Sequence, residues 1–372
     1  MKPKMIFHHP LPVVPDGKSG SQVRPYNMVK AFQAIGYDVE MVTGYGKERK
    51  RAINKLKKNI KQGARYDFIY SESSTMPTLL TEKHHLPIYP NLDFSFFRWA
   101  KNNNLPIGLF YRDIYWRFDF YKKNVQWFKS CFSIPLYWYD WLTYKKYLDV
   151  LFLPTLNISE ILPTKYDTSK VKALPPGSVI YNNKNDLINN EGKTINLLYI
   201  GGVLPPLYDL TPMFKTLQKI DKINSIKMNF CIRKQEWESI KNYYENNMVK
   251  EITVFHSYGD EVHSLYEHSN IFLDLREYHP YLEFAMPVKL IESICHGLPI
   301  IVFKGTEAAR FIERENAGWV VKDIDEACDL IVKLVDNPRL FQEKVESVKA
   351  IRKKHTWEAR ARTVVDLLKR SV

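Results

Sequence analysis

The chain has 372 residues, 45% of them hydrophobic and 26% charged, which excludes a disordered protein and leaves room for two globular cores. An excess of 54 Lys and Arg over 41 Asp and Glu gives a formal charge of +13, favouring anionic partners such as phosphorylated substrates or acidic lipid headgroups. No zinc-finger or RNP signature singles out nucleic acid, and no apolar run approaches the roughly 18 residues of a membrane-crossing helix.

Residues 5–7 form a short apolar run, and 10–20 a loop rich in proline and glycine. Residues 23–35 carry apolar side chains at helical spacing, closed by Gly36, and 37–43 read as a second strand ending at Gly44. Strand, helix and strand in so short a span imply a parallel sheet with a right-handed crossover. Further strands are expected at 68–70, 107–111, 150–153 and 171–174. His8 and His9 end the first strand, where satisfied loop histidines are the simpler expectation. The N-terminal apolar run is too short for a secretory signal.

Between residues 97 and 147, 18 of 51 residues are aromatic, with nine Lys or Arg against three Asp. Trp and Tyr favour the headgroup region of a bilayer, and cations add attraction to anionic lipid. Such a segment suits either a membrane-surface contact or a core and sugar-stacking cleft filled with rings.

Residues 181–192 are polar and Asn-rich and read as a linker. Beyond them the alternation restarts, with strands at 195–200, 228–232, 253–256, 271–275 and 300–303. Two successive α/β domains are expected, each a doubly wound parallel sheet whose ligands bind at the strand C-termini. The only Asp-x-Asp, Asp323-Ile-Asp325, reads as a helix N-cap rather than a metal ligand, and the ten histidines show no ligand spacing. Nothing visible requires a metal or a cofactor. Cys131, Cys231, Cys295 and Cys328 lack metal-ligand spacing and read as buried free thiols of a reducing, cytoplasmic compartment.

The segment Pro287-Val-Lys-Leu-Ile-Glu-Ser-Ile-Cys-His-Gly-Leu-Pro299 carries the most chemistry. Proline suits the opening of a helix, and free amides at that end attract anions. Lys289 lies in the first turn and Glu292 one turn later. Amides and a lysine can hold a diphosphate while a carboxylate accepts hydrogen bonds from ribose hydroxyls.

This segment resembles the donor-site signature of family 4 glycosyltransferases, in which a glutamate five residues before a Gly-x-Pro turn helps bind the donor ribose. The resemblance assigns that role to Glu292. Many members carry a second glutamate eight positions upstream. Here that position is Phe284, and the acid is Glu283. The resemblance implies a GT-B fold: two Rossmann-like domains facing a cleft, at 1–180 and 193–354, with a C-terminal helix over about 355–372 crossing back onto the first. Members usually place an Arg and a Lys in the loop after the first strand of the second domain. Loop 201–210 has neither, which leaves Arg233, Lys289 and the backbone at Gly201 and Gly202 as candidates for the diphosphate, with Pro287 opening the helix. In the first domain, Gly20, Ser21 and Arg24 resemble the acceptor-side opening loop and helix. Arg112 and Asp113 occupy the position of a polar pair near the reacting sugar, where a structural Arg–Asp pair is the plain alternative.

The resemblance thus implies a nucleotide-sugar glycosyltransferase of capsule or exopolysaccharide type, retaining configuration without a metal. Its acceptor would be a lipid-linked or polysaccharide sugar at the inner face of the membrane. The alternatives are a GT-B fold sugar-nucleotide epimerase and a non-catalytic sugar- or nucleic-acid-binding protein.

Overall fold

The computed structural model describes residues 2–15, 17, 20–181, 194–220, 225–249 and 251–370. The linker expected at 181–192 lies outside the described residues except for Tyr181. Two compact units divide the chain: 1–176 together with 357–372, and 177–356.

The first unit runs β1 (Lys4–His9), α1 (Gly20–Ala34), β2 (Asp38–Thr43), α2 (Gly46–Lys61), β3 (Ile69–Glu72), α3 (Leu92–Asn102), β4 (Ile107–Phe110), α4 (Asp119–Asn124), α5 (Trp127–Tyr147), β5 (Val150–Leu153) and β6 (Val171–Ala173). Its six strands are all parallel, in the order β2-β1-β3-β4-β5-β6. β3, β4 and β5 are buried along their whole length. That is why β4 and β5 read as short unbroken apolar runs and not as alternating ones, while β3 buries Ser71 and Glu72 as well.

The second unit runs β7 (Ile195–Ile200), α6 (Thr211–Ile220), β8 (Ile226–Cys231), α7 (Lys234–Tyr244), β9 (Ile252–Phe255), α8 (Asp260–Glu267), β10 (Ile271–Asp274), α9 (Val288–His296), β11 (Ile300–Phe303), α10 (Glu307–Glu315), β12 (Gly318–Val321), α11 (Ile324–Asp336) and α12 (Pro338–Ile351). Its parallel order is β12-β11-β10-β7-β8-β9. Alternate residues of one strand serve opposite layers. Leu197 and Tyr199 join one core, and Leu198 and Ile200 join the other. Asp323 caps α11 by accepting the Glu326 N–H, as the sequence implies. The strand β12 is an addition to the expected set.

The last helix, α13 (Trp357–Lys369), belongs to the first unit. Trp357, Ala361, Val364 and Leu368 enter that unit's core beside Met5, Phe32 and Phe152. Gly108 on β4 makes room for it, since a Cβ there would lie 3.0 Å from both methyl carbons of Leu368.

Cys231, Cys295 and Cys328 are buried free thiols, but Cys131 is exposed. It stands on the solvent side of α5, where no core residue covers it. No helix among the described residues is long and apolar enough to cross a membrane.

Candidate functional site

In a doubly wound sheet, ligands collect outside the strand C-termini where the strand order reverses. The order of the second unit reverses between β7 and β10. Loop 201–210 leaves β7 there, and the loop beginning at Leu275 leaves β10. A hydrogen bond from the Glu277 N–H to the Asp209 carbonyl, 2.8 Å, ties the two loops together.

Gly201 and Gly202 are shaped by protein packing. A Cβ on Gly201 would sit 2.7 Å from Tyr199 Oη, and one on Gly202 would meet the Tyr208 ring at 3.0 Å. Tyr199 donates its hydroxyl to the Gly202 carbonyl at 2.7 Å, and Tyr244 donates to the Val203 carbonyl at 3.2 Å. Two buried tyrosines therefore fix the path of this loop.

Pro287 is the N-cap of α9, with no side-chain cap, and Gly297 closes the helix in the left-handed conformation at φ 85°. Leu290, Ile291 and Ile294 are fully buried, each contributing about 1.5–3 kcal/mol. The Lys289–Glu292 ion pair at 2.6 Å adds only about 0.2–0.5 kcal/mol. Packing holds the helix, and the pair is available for chemistry. Tyr266 donates its hydroxyl to the same oxygen, Glu292 Oε2, at 3.1 Å. Glu292 Oε1 has no partner among the described residues and remains a free acceptor. Burial, reinforced by Glu292, raises the Tyr266 pKa well above its ordinary value, so it stays an O–H donor. The Tyr266 ring stacks on His296 at 4.2 Å, and His296 stacks on Tyr181 at 4.2 Å. Burial, aided by the neighbouring cations, lowers the His296 pKa to about 3, so this stack is uncharged at neutral pH.

Arg233 follows β8 but is exposed and ion-paired to Glu236 on its own helix. Glu283 ends a short 3-10 turn, Pro280–Glu283. Its carboxylate accepts from Tyr278, and its carbonyl accepts from Arg310.

Sequence reasoning passed over Arg276, just beyond β10. Its side chain is only 9% exposed and its Nε lies 2.7 Å from Asp274 Oδ1, while Nη2 donates to Oδ2 at 2.7 Å. Burial acts to lower its pKa, but the Asp274 carboxylate outweighs that and holds it above its ordinary value. The signal was an acid-x-Arg triplet, Asp274-Leu-Arg276, at the end of an apolar run.

The order of the first unit reverses between β1 and β3. There Glu72, fully buried, accepts from Arg24 Nε at 3.2 Å on one oxygen and from Arg112 Nη2 at 3.2 Å on the other. Tyr70 also donates its hydroxyl to Glu72 at 2.9 Å, and the Arg24 guanidinium lies 3.5 Å from the centroid of the Phe110 ring. Gly20 and Ser21 are the first residues of α1, which places Arg24 in its second turn. The structure corrects the Arg112–Asp113 pairing. Arg112 pairs with Glu72, and the Asp113 carboxylate accepts the Tyr115 N–H at 2.9 Å, capping its own turn. Glu72 carried no local signal, because its arginine partners stand 48 and 40 residues away.

His8 and His9 are buried strand residues rather than loop residues. His8 bonds Ser71 at 2.7 Å and Asp93 at 2.9 Å. His9 donates to the Glu72 carbonyl at 2.9 Å, and burial lowers its pKa to about 3. Among the described residues no group of three or more His, Cys, Asp or Glu side chains is placed to hold a metal ion.

Residues 213–358 match the family described as "Glucosyltransferase 3-like, C-terminal domain". No curated protein matches the chain. Among solved structures, a glycosyltransferase from Rickettsia africae superposes with a TM-score of 0.67 at 14% identity, over 100% of this chain and 98% of that one. Sucrose-phosphate synthase from Thermosynechococcus elongatus gives 0.59 at 14%, over 100% and 99%. Anabaena HepE in complex with UDP gives 0.62 at 9%, over 99% and 100%. The chain has the GT-B fold. Both Rossmann-like sheets of that fold, with helices on their faces, are present here.

Proposed function

We propose that the protein is a glycosyltransferase that takes its sugar from a nucleotide-sugar donor bound by the second unit. One observation carries this most directly. At the first turns of α9, Glu292 is oriented by Tyr266 and Lys289 through one oxygen and keeps the other free, as a ribose-binding carboxylate requires. The family match over 213–358 and the UDP and UDP-glucose complexes of HepE support the same reading. Lys289, the open N-terminus of α9 and the backbone at Gly201 and Gly202 would attract the diphosphate. Stabilising that group as it departs would be the protein's main catalytic contribution. On the pattern of the family 4 resemblance, the leaving diphosphate would assist deprotonation of the acceptor, with retention and without a metal.

We assign the acceptor to a lipid-linked or polysaccharide sugar, reached from an anionic membrane surface. Many rings of the aromatic segment are core residues: Trp116, Tyr121, Tyr137, Trp141 and Tyr144 are buried. Among the described residues, the exposed rings of the segment fall on α5. Phe128, Phe132, Tyr139 and Leu142 recur at helical spacing and are exposed, beside Trp127, which is 77% exposed. Lys122, Lys123 and Lys129 flank its start and are exposed. Rings that insert and cations that face anionic headgroups fit a peripheral contact. An epimerase of soluble sugar nucleotides would have no use for this stripe.

Titration of UDP and UDP-glucose by calorimetry tests the donor site. Glu292→Gln keeps the size but not the charge, and should weaken binding by about 1.5–3 kcal/mol; equal affinities would overturn the assignment. Charge reversal at Lys122, Lys123 and Lys129 should release the protein from anionic liposomes at low salt. Failure of the unaltered protein to cosediment would remove the membrane contact.

A further inference from the structure

We infer that Arg276 is a diphosphate-binding residue of the second unit, supplying from the loop after β10 the cation that loop 201–210 lacks. This rests on the nucleotide-sugar reading above and adds to it a residue whose role is to separate diphosphate from nucleoside.

Arg276 stands two residues past the end of β10, and β10 pairs with β7 where the strand order reverses. A cation at that point faces the place where such sheets collect ligands. The other two cations considered for this role have partners on their own helices. Arg233 is 65% exposed and paired to Glu236, and Lys289 is paired to Glu292. Arg276 differs in being nine-tenths buried and held by one hydrogen bond and one ion-pair contact to a single carboxylate. The guanidinium carbon lies 5.7 Å from the centroid of the Tyr208 ring, which places it against the glycine loop.

Asp274 Oδ2 accepts a hydrogen bond from Nη2, and Nε lies 2.7 Å from Oδ1 as an ion-pair contact. The third nitrogen, Nη1, has no hydrogen-bond partner among the described residues, and its two N–H groups remain to be used. A guanidinium already fixed in plane loses little freedom when an anion binds it. Its donors match phosphate oxygens, and charge-assisted bonds of this kind are about twice as strong as neutral ones. The plain alternative is a staple that only holds the loop to the end of the strand. The two differ in what happens when the pair is replaced by neutral groups of the same shape.

The full-length chain is titrated with uridine, guanosine, adenosine and thymidine 5′-diphosphates and with the matching nucleosides. Arg276→Gln should lower affinity for the bound diphosphate at least about tenfold and leave the nucleoside within about twofold. Because this change orphans a buried Asp274, the double variant Asp274→Asn with Arg276→Gln is measured beside it. That variant should regain the unaltered protein's unfolding temperature and still lack the diphosphate preference. Recovery of full diphosphate affinity in the double variant would overturn the inference and leave Arg276 as a staple. An equal loss for nucleoside and diphosphate would overturn it as well. If the unaltered protein binds none of the four diphosphates, the nucleotide-sugar reading itself falls, and the inference with it.

Discussion

The two units place charged residues at the same topological position, and they spend them differently. At the reversal point of the first unit, Glu72 is fully buried with both oxygens bonded to arginines. Burial lowers the pKa of Arg112, and Glu72 offsets this only in part. At the reversal point of the second unit, the carboxylate wins over burial and raises the pKa of Arg276. There Arg276 Nη1 and Glu292 Oε1 have no hydrogen-bond partner among the described residues. A strand edge lined with charge is therefore not yet a binding site. On the reading proposed above, what separates the structural cluster from the receptive one is a carboxylate oxygen left over: Glu72 has both oxygens bonded, and Glu292 keeps Oε1.

The sharpest way to break that contrast is Glu72→Gln. It strands two guanidinium groups, and losing one partner of a buried ionic network costs about 3–5 kcal/mol. Calorimetric unfolding should show a large loss in the transition of the first unit, with nucleoside diphosphate affinity unchanged. Weakened nucleotide binding at unchanged stability would reverse the two assignments.

Asp140 sharpens the contrast, because it has spare capacity away from any strand edge. Its Oδ2 accepts the Thr78 N–H at 2.6 Å, while Oδ1 is buried with no hydrogen-bond partner among the described residues. Burial raises its pKa to about 7, against the bonds to Thr78. The unfolded chain releases this proton near pH 4. Stability is therefore lost as pH rises from about 4 to 7, and the whole penalty is present above 7. Asp140→Asn should be more stable by about 1–2 kcal/mol at pH 8, allowing for its new buried N–H donor, with no such gain at pH 4. Denaturant titrations at the two pH values measure this. A pH-independent difference would show that the carboxyl is already satisfied.

The smallest effect concerns Tyr266, which orients Glu292 but would not touch a ligand. Tyr266→Phe keeps the ring stacked on His296 and removes the hydroxyl. Binding of a ribonucleoside diphosphate should weaken by about 1 kcal/mol, and binding of its 2′,3′-dideoxy analogue should not change. A loss shared by both would mean that the hydroxyl supports the helix rather than the ribose contact.

What the sequence revealed follows the reach of each interaction. Buried parallel strands such as β10 and β11 are unbroken apolar runs, so they were legible. The Asp323 cap was legible because its partner lies within one helical turn. β12 is absent from the strands expected from sequence; three of its four residues are half-buried, which blurs the apolar pattern. Tyr266 stands 26 residues from Glu292, and no local pattern joins them. The aromatic segment shows a different limit. Composition counted its rings, but only the packed helix separates Trp116, stacked on Tyr137 at 5.1 Å, from Phe132 in solvent.

The return of α13 to the first unit governs the order in which the chain matures during synthesis. Residues 1–176 leave the ribosome first, but their core lacks Trp357, Ala361, Val364 and Leu368 until about 180 further residues have been made. At about 5–20 residues per second, this is a delay of roughly ten to forty seconds. The second unit is one continuous stretch and can close its core within that interval. The half begun first is thus finished last, and until then the groove awaiting α13 is a natural target for chaperones.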